Sequence, residues 1–330
     1  MTVHPDQAAP NRRIFCNRTL NLRSVQAIGY DMDYTLVHYN VNEWEGTAYE
    51  HIRGRLGALG FPVETLEFDP TLVARGLVID RKLGHILKAN RFGYVKNAMH
   101  GTRMLDYREM RRAYARTLVD LGDPRWVFLN TLFSISEACI YAQLIDLLDA
   151  GALEETWKYS DLYDVVRQAV DAAHLEGELK QSIMARPEHY VERDPRTALA
   201  LLDQRAAGKK LLLITNSEWG YTQFMMSYAF DDFLPTDMTW KDLFDIVVVA
   251  ARKPIFFMDR EPIFEVVTDD GLLKPVVGCI MPGKRYLGGN ARLVLVSLAV
   301  LLIACDKRWI ATAEKSVPAL PEDPIAHALL

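Results

Sequence analysis

Two carboxylates, Asp31 and Asp33, stand one residue apart at the end of the short apolar segment Val25 to Tyr30. Side chains of a strand alternate between faces, so both acids reach one cleft only if the strand ends at Tyr30 and the backbone then turns. A pair placed this way suits attack on phosphorus. A carboxylate nucleophile approaching a phosphate dianion needs a divalent cation to cancel repulsion, and a second carboxylate can protonate the leaving oxygen and later activate water. Aspartate is also favoured wherever a chain leaves a sheet, so turn and cap roles fit the same two residues.

Two later segments repeat the design. Lys210 to Ile214 is a continuous apolar run of the buried-strand type, and it ends abruptly in Thr215, Asn216 and Ser217. These three side chains can donate hydrogen bonds to phosphoryl oxygens, or simply cap the helix expected from Glu218 onward. Residues 243–254 give a third apolar strand, after which Lys253 offers a fixed positive charge. The order is acid pair, then hydroxyl and amide, then lysine, each at a strand's carboxyl end. In an open parallel sheet those ends line one crevice, which is where ligands bind.

That ordered set resembles the haloacid dehalogenase superfamily of phosphatases. The wording Asp31-Met-Asp-Tyr-Thr-Leu36, with Thr215-Asn-Ser217 and Ala251-Arg-Lys-Pro-Ile-Phe-Phe257, is similar to its cytosolic purine 5'-nucleotidase branch, over residues 15–290. The resemblance implies a three-layer α/β fold, a Rossmann-like parallel sheet with a mostly helical cap insertion. It implies magnesium-dependent hydrolysis of purine nucleoside 5'-monophosphates through an aspartyl phosphate. Asp31 would be the nucleophile and Asp33 the acid and base, with Thr215, Asn216 and Lys253 stabilising charge. Asp31 and Asp33 would also hold Mg2+, one through its carboxylate and the other through its backbone carbonyl. Phe128-Leu-Asn-Thr-Leu-Phe133 looks like the segment that meets the nucleoside, bringing in Asn130 and Phe133. Residues 167–174 with Lys180 match a substrate-reading helix, and Ser217 joins the substrate contacts.

That helix also has a reading of its own. Arg167, Asp171 and His174 lie at i, i+4 and i+7, on one helical face. The face is either an exposed ion-pair stripe or the border of a cleft, where a guanidinium and a carboxylate could read a purine edge while His174 and Phe133 stack on it. Phe133 by itself reads as core, and only the resemblance makes it a candidate.

Composition sets the outer bounds. With 330 residues the chain can bury a full core, and one large domain elaborated by a second is expected. Half the residues are hydrophobic, a quarter are charged, and the net charge is −5, a balance that points to no nucleic-acid surface. Cys16, Cys139, Cys279 and Cys305 follow no Cys-x-x-Cys spacing and read as reduced thiols of a cytoplasmic protein. Residues 1–13 read as a polar lead-in with no secretory signal. Residues 14–40 and 190–330 are assigned to the catalytic core and 41–189 to the insertion, where helices are expected at 106–121, 136–150 and 160–173. No membrane partner is expected, and a homo-oligomer is left open.

The pattern breaks after Gly288-Gly-Asn290. The branch continues there through a helix to a strand ending in an acidic pair, whereas this chain runs Ala-Arg-Leu-Val-Leu-Val-Ser-Leu-Ala-Val-Leu-Leu-Ile-Ala-Cys-Asp306. No third metal-binding acid is identified, and Asp306 is the nearest candidate. Three readings stand: a substitute buried strand presenting Asp306, an ending replaced by a shifted frame or truncation, and a divergent lineage. The apolar run, 293–305, is too short to span a membrane, which takes about 20 residues. The missing acid leaves two further functional readings, a nucleotide-binding or scaffold protein without turnover and a phosphatase of the same superfamily acting on a non-nucleotide ester.

Overall fold

The computed structural model describes residues 21, 23–74, 76–129, 132–175 and 177–305. Along the chain run β1 (Ala27–Tyr30), β2 (His38–Tyr39), α1 (Val41–Ala58), β3 (Val78–Asp80), β4 (His85–Ala89), β5 (Val95–His100), β6 (Arg103–Met104), α2 (Tyr107–Tyr114) and β7 (Trp126–Phe128). A 3-10 turn, Leu132–Ser134, leads into α3 (Ile135–Asp149), followed by α4 (Tyr159–Leu175), α5 (Glu178–Ala185), α6 (Pro187–Tyr190), β8 (Val191–Glu192) and α7 (Pro195–Ala206). The last third holds β9 (Lys210–Ile214), α8 (Trp219–Phe230), β10 (Ile246–Val249), α9 (Ile255–Met258), β11 (Ile263–Val266), β12 (Leu273–Pro275), β13 (Lys284–Gly288) and α10 (Ala291–Cys305). The protein is of mixed α/β class and forms two compact units.

The first unit takes β1, Arg196–Asn216 and the chain from Asp237 onward. Its sheet has the order β1-β9-β10-β13-β11-β12. The first four strands are parallel and the last two pair antiparallel. Leu211, Leu212 and Leu213 in β9 and all of Ile246–Val249 in β10 are buried, the apolar run expected of strands covered on both faces. Tyr30 is level with Leu213, and Val248 with Ile214, so the parallel strands end together at one edge.

The fourth parallel strand, β13, ends at Gly288 and is followed by Gly289 and Asn290, with no acid there. Asn290 is the cap of α10, its Oδ1 accepting from the Leu293 amide at 3.0 Å. The substitute-strand reading of residues 293–305 is therefore corrected: the run is helical. The Asn290 cap starts the helix, and Val294, Ser297 and Leu298 recur at helical spacing against the unit's core. Asp306 lies outside the described residues. No helix among the described residues is long and apolar enough to cross a membrane.

The second unit spans Asp31–Pro195 and Ser217–Thr236. Helices α1, α3 and α4 pack through Ile52, Leu56, Cys139, Ile145, Leu162 and Val166. Helices α3 and α4 fall where the periodicity puts them. The expected helix over 106–121 stops at Tyr114, because Val119 donates its amide to the Gly93 carbonyl at 2.9 Å and joins the neighbouring hairpin. Beside the helices stands an antiparallel sheet of order β6-β5-β4-β3-β7, which the helical reading of this region did not anticipate. Its reversal signals are present in the sequence: Gly84, Gly93 and Gly101 all take positive φ at the hairpin turns.

The sheet is anchored by a fully buried carboxylate. Asp80 accepts from Arg125 Nε at 2.8 Å and Nη2 at 2.6 Å, and from the Tyr114 hydroxyl at 2.9 Å. Removing one partner of such a pair strands a charge in the interior. Arg125→Ala should cost roughly 3–5 kcal/mol in denaturant unfolding. A loss below about 1 kcal/mol, the range of an exposed pair, would show that the fork does not anchor the sheet.

Candidate active site

Asp31 follows β1 directly, and the loop after it is tightly wound. The amides of Thr35, Leu36 and Val37 all point at the Met32 carbonyl, and Tyr34 takes the left-handed conformation at φ 57°. Asp31 Oδ1 accepts from the Met32 amide at 2.8 Å. The turn carries Asp33 into the interior of its unit. There the Tyr39 hydroxyl donates to Oδ1 at 2.7 Å and the Ser217 hydroxyl to Oδ2 at 2.8 Å. Tyr221 in α8 stands behind Tyr39, with the two hydroxyl oxygens 3.0 Å apart. Burial pushes the Asp33 carboxyl above the usual carboxylate range, although the bonds from Tyr39 and Ser217 pull it down. The neighbouring Asp31 charge adds to the rise and Lys180 opposes it. A shift in this direction favours the protonated form, the form in which a carboxyl can give a proton.

In the other unit, Thr215 is fully buried, with its amide on the Val248 carbonyl and its carbonyl accepting from Ala251, both at 2.9 Å. Asn216 clasps the loop after β10: its Oδ1 accepts from the Lys253 amide at 2.6 Å, and its Nδ2 donates to the Lys253 carbonyl at 3.1 Å. The Lys253 ammonium donates to the Ile214 carbonyl at 2.8 Å. Asn216 thus sets the backbone of the lysine and has both ends of its amide engaged in doing so. Ala250 and Arg252 take positive φ in the same loop, a conformation that the clasp helps to hold.

The face of α4 expected to read substrate is an ion-pair cluster. Arg167 bonds Glu137 Oε2 at 3.0 Å and pairs with Asp171 one turn on. The buried Glu137 also accepts from the Tyr163 hydroxyl at 2.7 Å. Lys180 pairs with Glu218 at 2.7 Å and lies over the Tyr221 ring, 5.1 Å from its centroid. Phe133 packs edge-on against Tyr34 and Trp44, with centroids at 4.7 and 5.3 Å. His174 falls within α4, but its side chain, like all of Asn130, lies outside the described residues.

Sequence reasoning missed Tyr39, Tyr221, Glu137 and Glu45. Tyr39 owes its place to the two-residue pairing of β2 with β8, which leaves no periodic signal. Glu45, fully buried in α1, accepts from the Ser136 amide at 2.9 Å. A charged residue one step from Trp44 reads in sequence as a solvated helix position, and only the packing of α1 on α3 and α4 reveals otherwise.

An α/β protein with a carboxylate pair leaving its first parallel strand and a clasped lysine leaving its third is the class these features define. The profile of the 5' nucleotidase family matches residues 14–300, and the chain belongs to that family. It is 27% identical over 288 residues to a 5'-nucleotidase domain-containing protein of Dictyostelium discoideum, covering 84% of this chain and 48% of that protein. Over 297 residues it is 27% identical to 5'-nucleotidase domain-containing protein 2 of Homo sapiens, covering 84% of this chain and 54% of the relative. The chain spans about half the length of these curated relatives.

Glu45 gives this unit a pH signature. Burial lifts its carboxyl from 4.5 to about 7, against hydrogen bonds from Ser136 and Ile135 that lower it. A folded-state value above the unfolded one means that the stabilising contribution is complete below 4.5 and is lost as pH rises through about 7. The lost amount is about 3 kcal/mol, at about 1.4 kcal/mol per unit. Denaturant unfolding at pH 5 and pH 8 should show this loss in the parent chain and none of it in Glu45→Gln. An equal loss in the two would assign the pH dependence to other groups.

Proposed function

We propose that the protein hydrolyses purine nucleoside 5'-monophosphates to nucleoside and phosphate, as a member of the haloacid dehalogenase superfamily. The observation that carries this reading is the half-buried Asp33 carboxyl, gripped by Tyr39 and Ser217 two residues beyond Asp31, with its pKa raised by desolvation. An Asp31 oxygen attacks phosphorus, the bond from phosphorus to the nucleoside 5'-oxygen breaks, and Asp33 delivers its proton to that oxygen. Asp33, now a carboxylate, takes a proton from water as the water attacks the aspartyl phosphate, releasing phosphate and restoring Asp31. Thr215 and Lys253 stabilise charge on the transferring group, with Asn216 fixing the lysine. Arg167 and Asp171 face the purine edge, and Phe133 and His174 supply stacking surfaces.

The donors Asp31 carboxylate and Asp33 backbone carbonyl are both hard oxygens. That set suits magnesium, which retains several waters and asks little of the protein beyond one or two carboxylates. Magnesium bound there supplies positive charge against the phosphate dianion.

Asn290 favours a second reading. It caps the helix α10, and in the sequence beyond that helix no acidic pair of the kind the resemblance calls for follows. A protein that binds the nucleotide without turning it over fits that feature. Magnesium-dependent phosphate release separates the two, since the second reading allows binding alone.

Asp31→Asn should abolish phosphate release with the fold intact, because an amide neither attacks phosphorus nor binds a hard cation well. Unchanged release by a folded variant would remove the mechanism. Arg167→Ala should raise KM for a purine monophosphate by about 10-fold or more and leave p-nitrophenyl phosphate within about 2-fold, as loss of a base contact predicts. Equal losses on the two esters would make the α4 face structural.

A further inference from the structure

The base-stacking segment proposed above begins where α3 begins, and its anchor is foreign to it. The N-cap of α3 is Ser134, and the Ser134 side chain makes no capping bond to the helix. A helix start leaves four amides without an intrahelical partner, and burying them without acceptors is costly. At α3 the acceptor comes from another element: Glu45 Oε2 takes the Ser136 amide at 2.9 Å. Glu45 and Ser136 are both buried, Glu45 with no measurable exposure. The same turn of α1 supplies Trp44, which packs on Phe133 with ring centroids 5.3 Å apart. Phe133 is thus held from two sides by adjacent residues of one helix, its ring by Trp44 and its backbone exit by Glu45.

The opposite side of Phe133 leads back to the acid loop. Tyr34 packs on Phe133 at 4.7 Å and on Tyr39 at 5.2 Å, and the Tyr39 hydroxyl bonds Asp33. Aromatic pairs of this kind have defined geometry, so the position of one ring constrains the next. Among the described residues, the second Glu45 oxygen has no hydrogen-bond partner, and neither do the Trp44 indole nitrogen and the Tyr34 hydroxyl. The Glu45 carboxyl is therefore held through its other oxygen, by hydrogen bonds from the first turn of α3, Ser136 and Ile135.

We infer that Glu45 is a positioning residue for nucleotide recognition: it caps α3 across the helix interface and so sets Phe133 at a fixed distance from the acid loop. The inference rests on the nucleotidase reading for its substrate and on geometry alone for the cap. The acceptor role survives protonation of the carboxyl and is retained by glutamine, whose side-chain oxygen takes the same amide. Alanine at this position removes the acceptor and leaves the Ser136 amide buried and unpaired.

The test compares the parent chain with Glu45→Ala and Glu45→Gln in two measurements. In steady-state kinetics, Glu45→Ala should raise KM for inosine monophosphate by about 10-fold, while kcat/KM for p-nitrophenyl phosphate stays within about 2-fold. Glu45→Gln should return KM to within about 3-fold of the parent. Equal losses on both esters, or a glutamine variant as damaged as alanine, would overturn the inference. The second measurement needs no turnover: hydrogen exchange at the Ser136 amide should be slow in the parent, at least about 10-fold faster in Glu45→Ala, and slow again in Glu45→Gln. Unchanged exchange in a folded Glu45→Ala protein overturns the cap whatever the kinetics show. A parent chain that releases no phosphate from either ester overturns the nucleotidase reading instead, and the exchange result then judges the cap by itself.

Discussion

The second unit is organised around one desolvated carboxyl. Asp33 is partly withdrawn from water, and the hydroxyls of Tyr39 and Ser217 satisfy its two oxygens at 2.7 and 2.8 Å. Those donors come from chain segments 184 residues apart in the case of Ser217 and 6 apart in the case of Tyr39. Tyr39 lies in β2, which pairs with β8, and Ser217 precedes α8 in the same unit. Two donors fix the carboxyl, and its raised pKa follows first from desolvation, against which the same two bonds act.

Around that carboxyl the aromatic side chains transmit position. Tyr39, Tyr34, Phe133 and Trp44 form a continuous run of edge-on and tilted contacts with centroids between 4.6 and 5.3 Å. Each such pair contributes about 0.5–1.5 kcal/mol beyond its buried area, and each also restricts the angles its neighbour can take. The left-handed Tyr34 is the bend that lets the acid loop and the run of rings meet. Strain of that kind persists only where the surroundings over-determine it, and here rings press on Tyr34 from two sides.

The first unit solves a different problem by backbone means. The loop after β10 has two non-glycine residues at positive φ, and the Asn216 amide bonds both the amide and the carbonyl of Lys253. Such a clasp fixes where the lysine stem leaves the chain without using its charge. The sheet beneath is level at the ends of β1, β9 and β10 because the parallel register aligns them, so residues that follow those strands start from one edge.

The positions of the acid pair, the Thr-Asn segment and the lysine were legible in sequence because each follows a short apolar run that forms a parallel strand. Helices α3 and α4 were legible for a related reason: their apolar residues recur at a period that only a helix can bury. The antiparallel sheet was not, since its strands are two to six residues long and alternate weakly, and its glycine turns have meaning only once strands are assumed. Residues 291–305 became a helix because a single cap at Asn290 outweighed an apolar run whose period is ambiguous. Tertiary structure alone decided the partners. That Asn216 holds a lysine loop, that Arg167 answers a buried glutamate as well as Asp171, and that Glu45 caps a helix it does not belong to all depend on contacts between distant segments. Sequence spacing records which residues share a face, but hydrogen bonds across packed elements are set by where those faces meet.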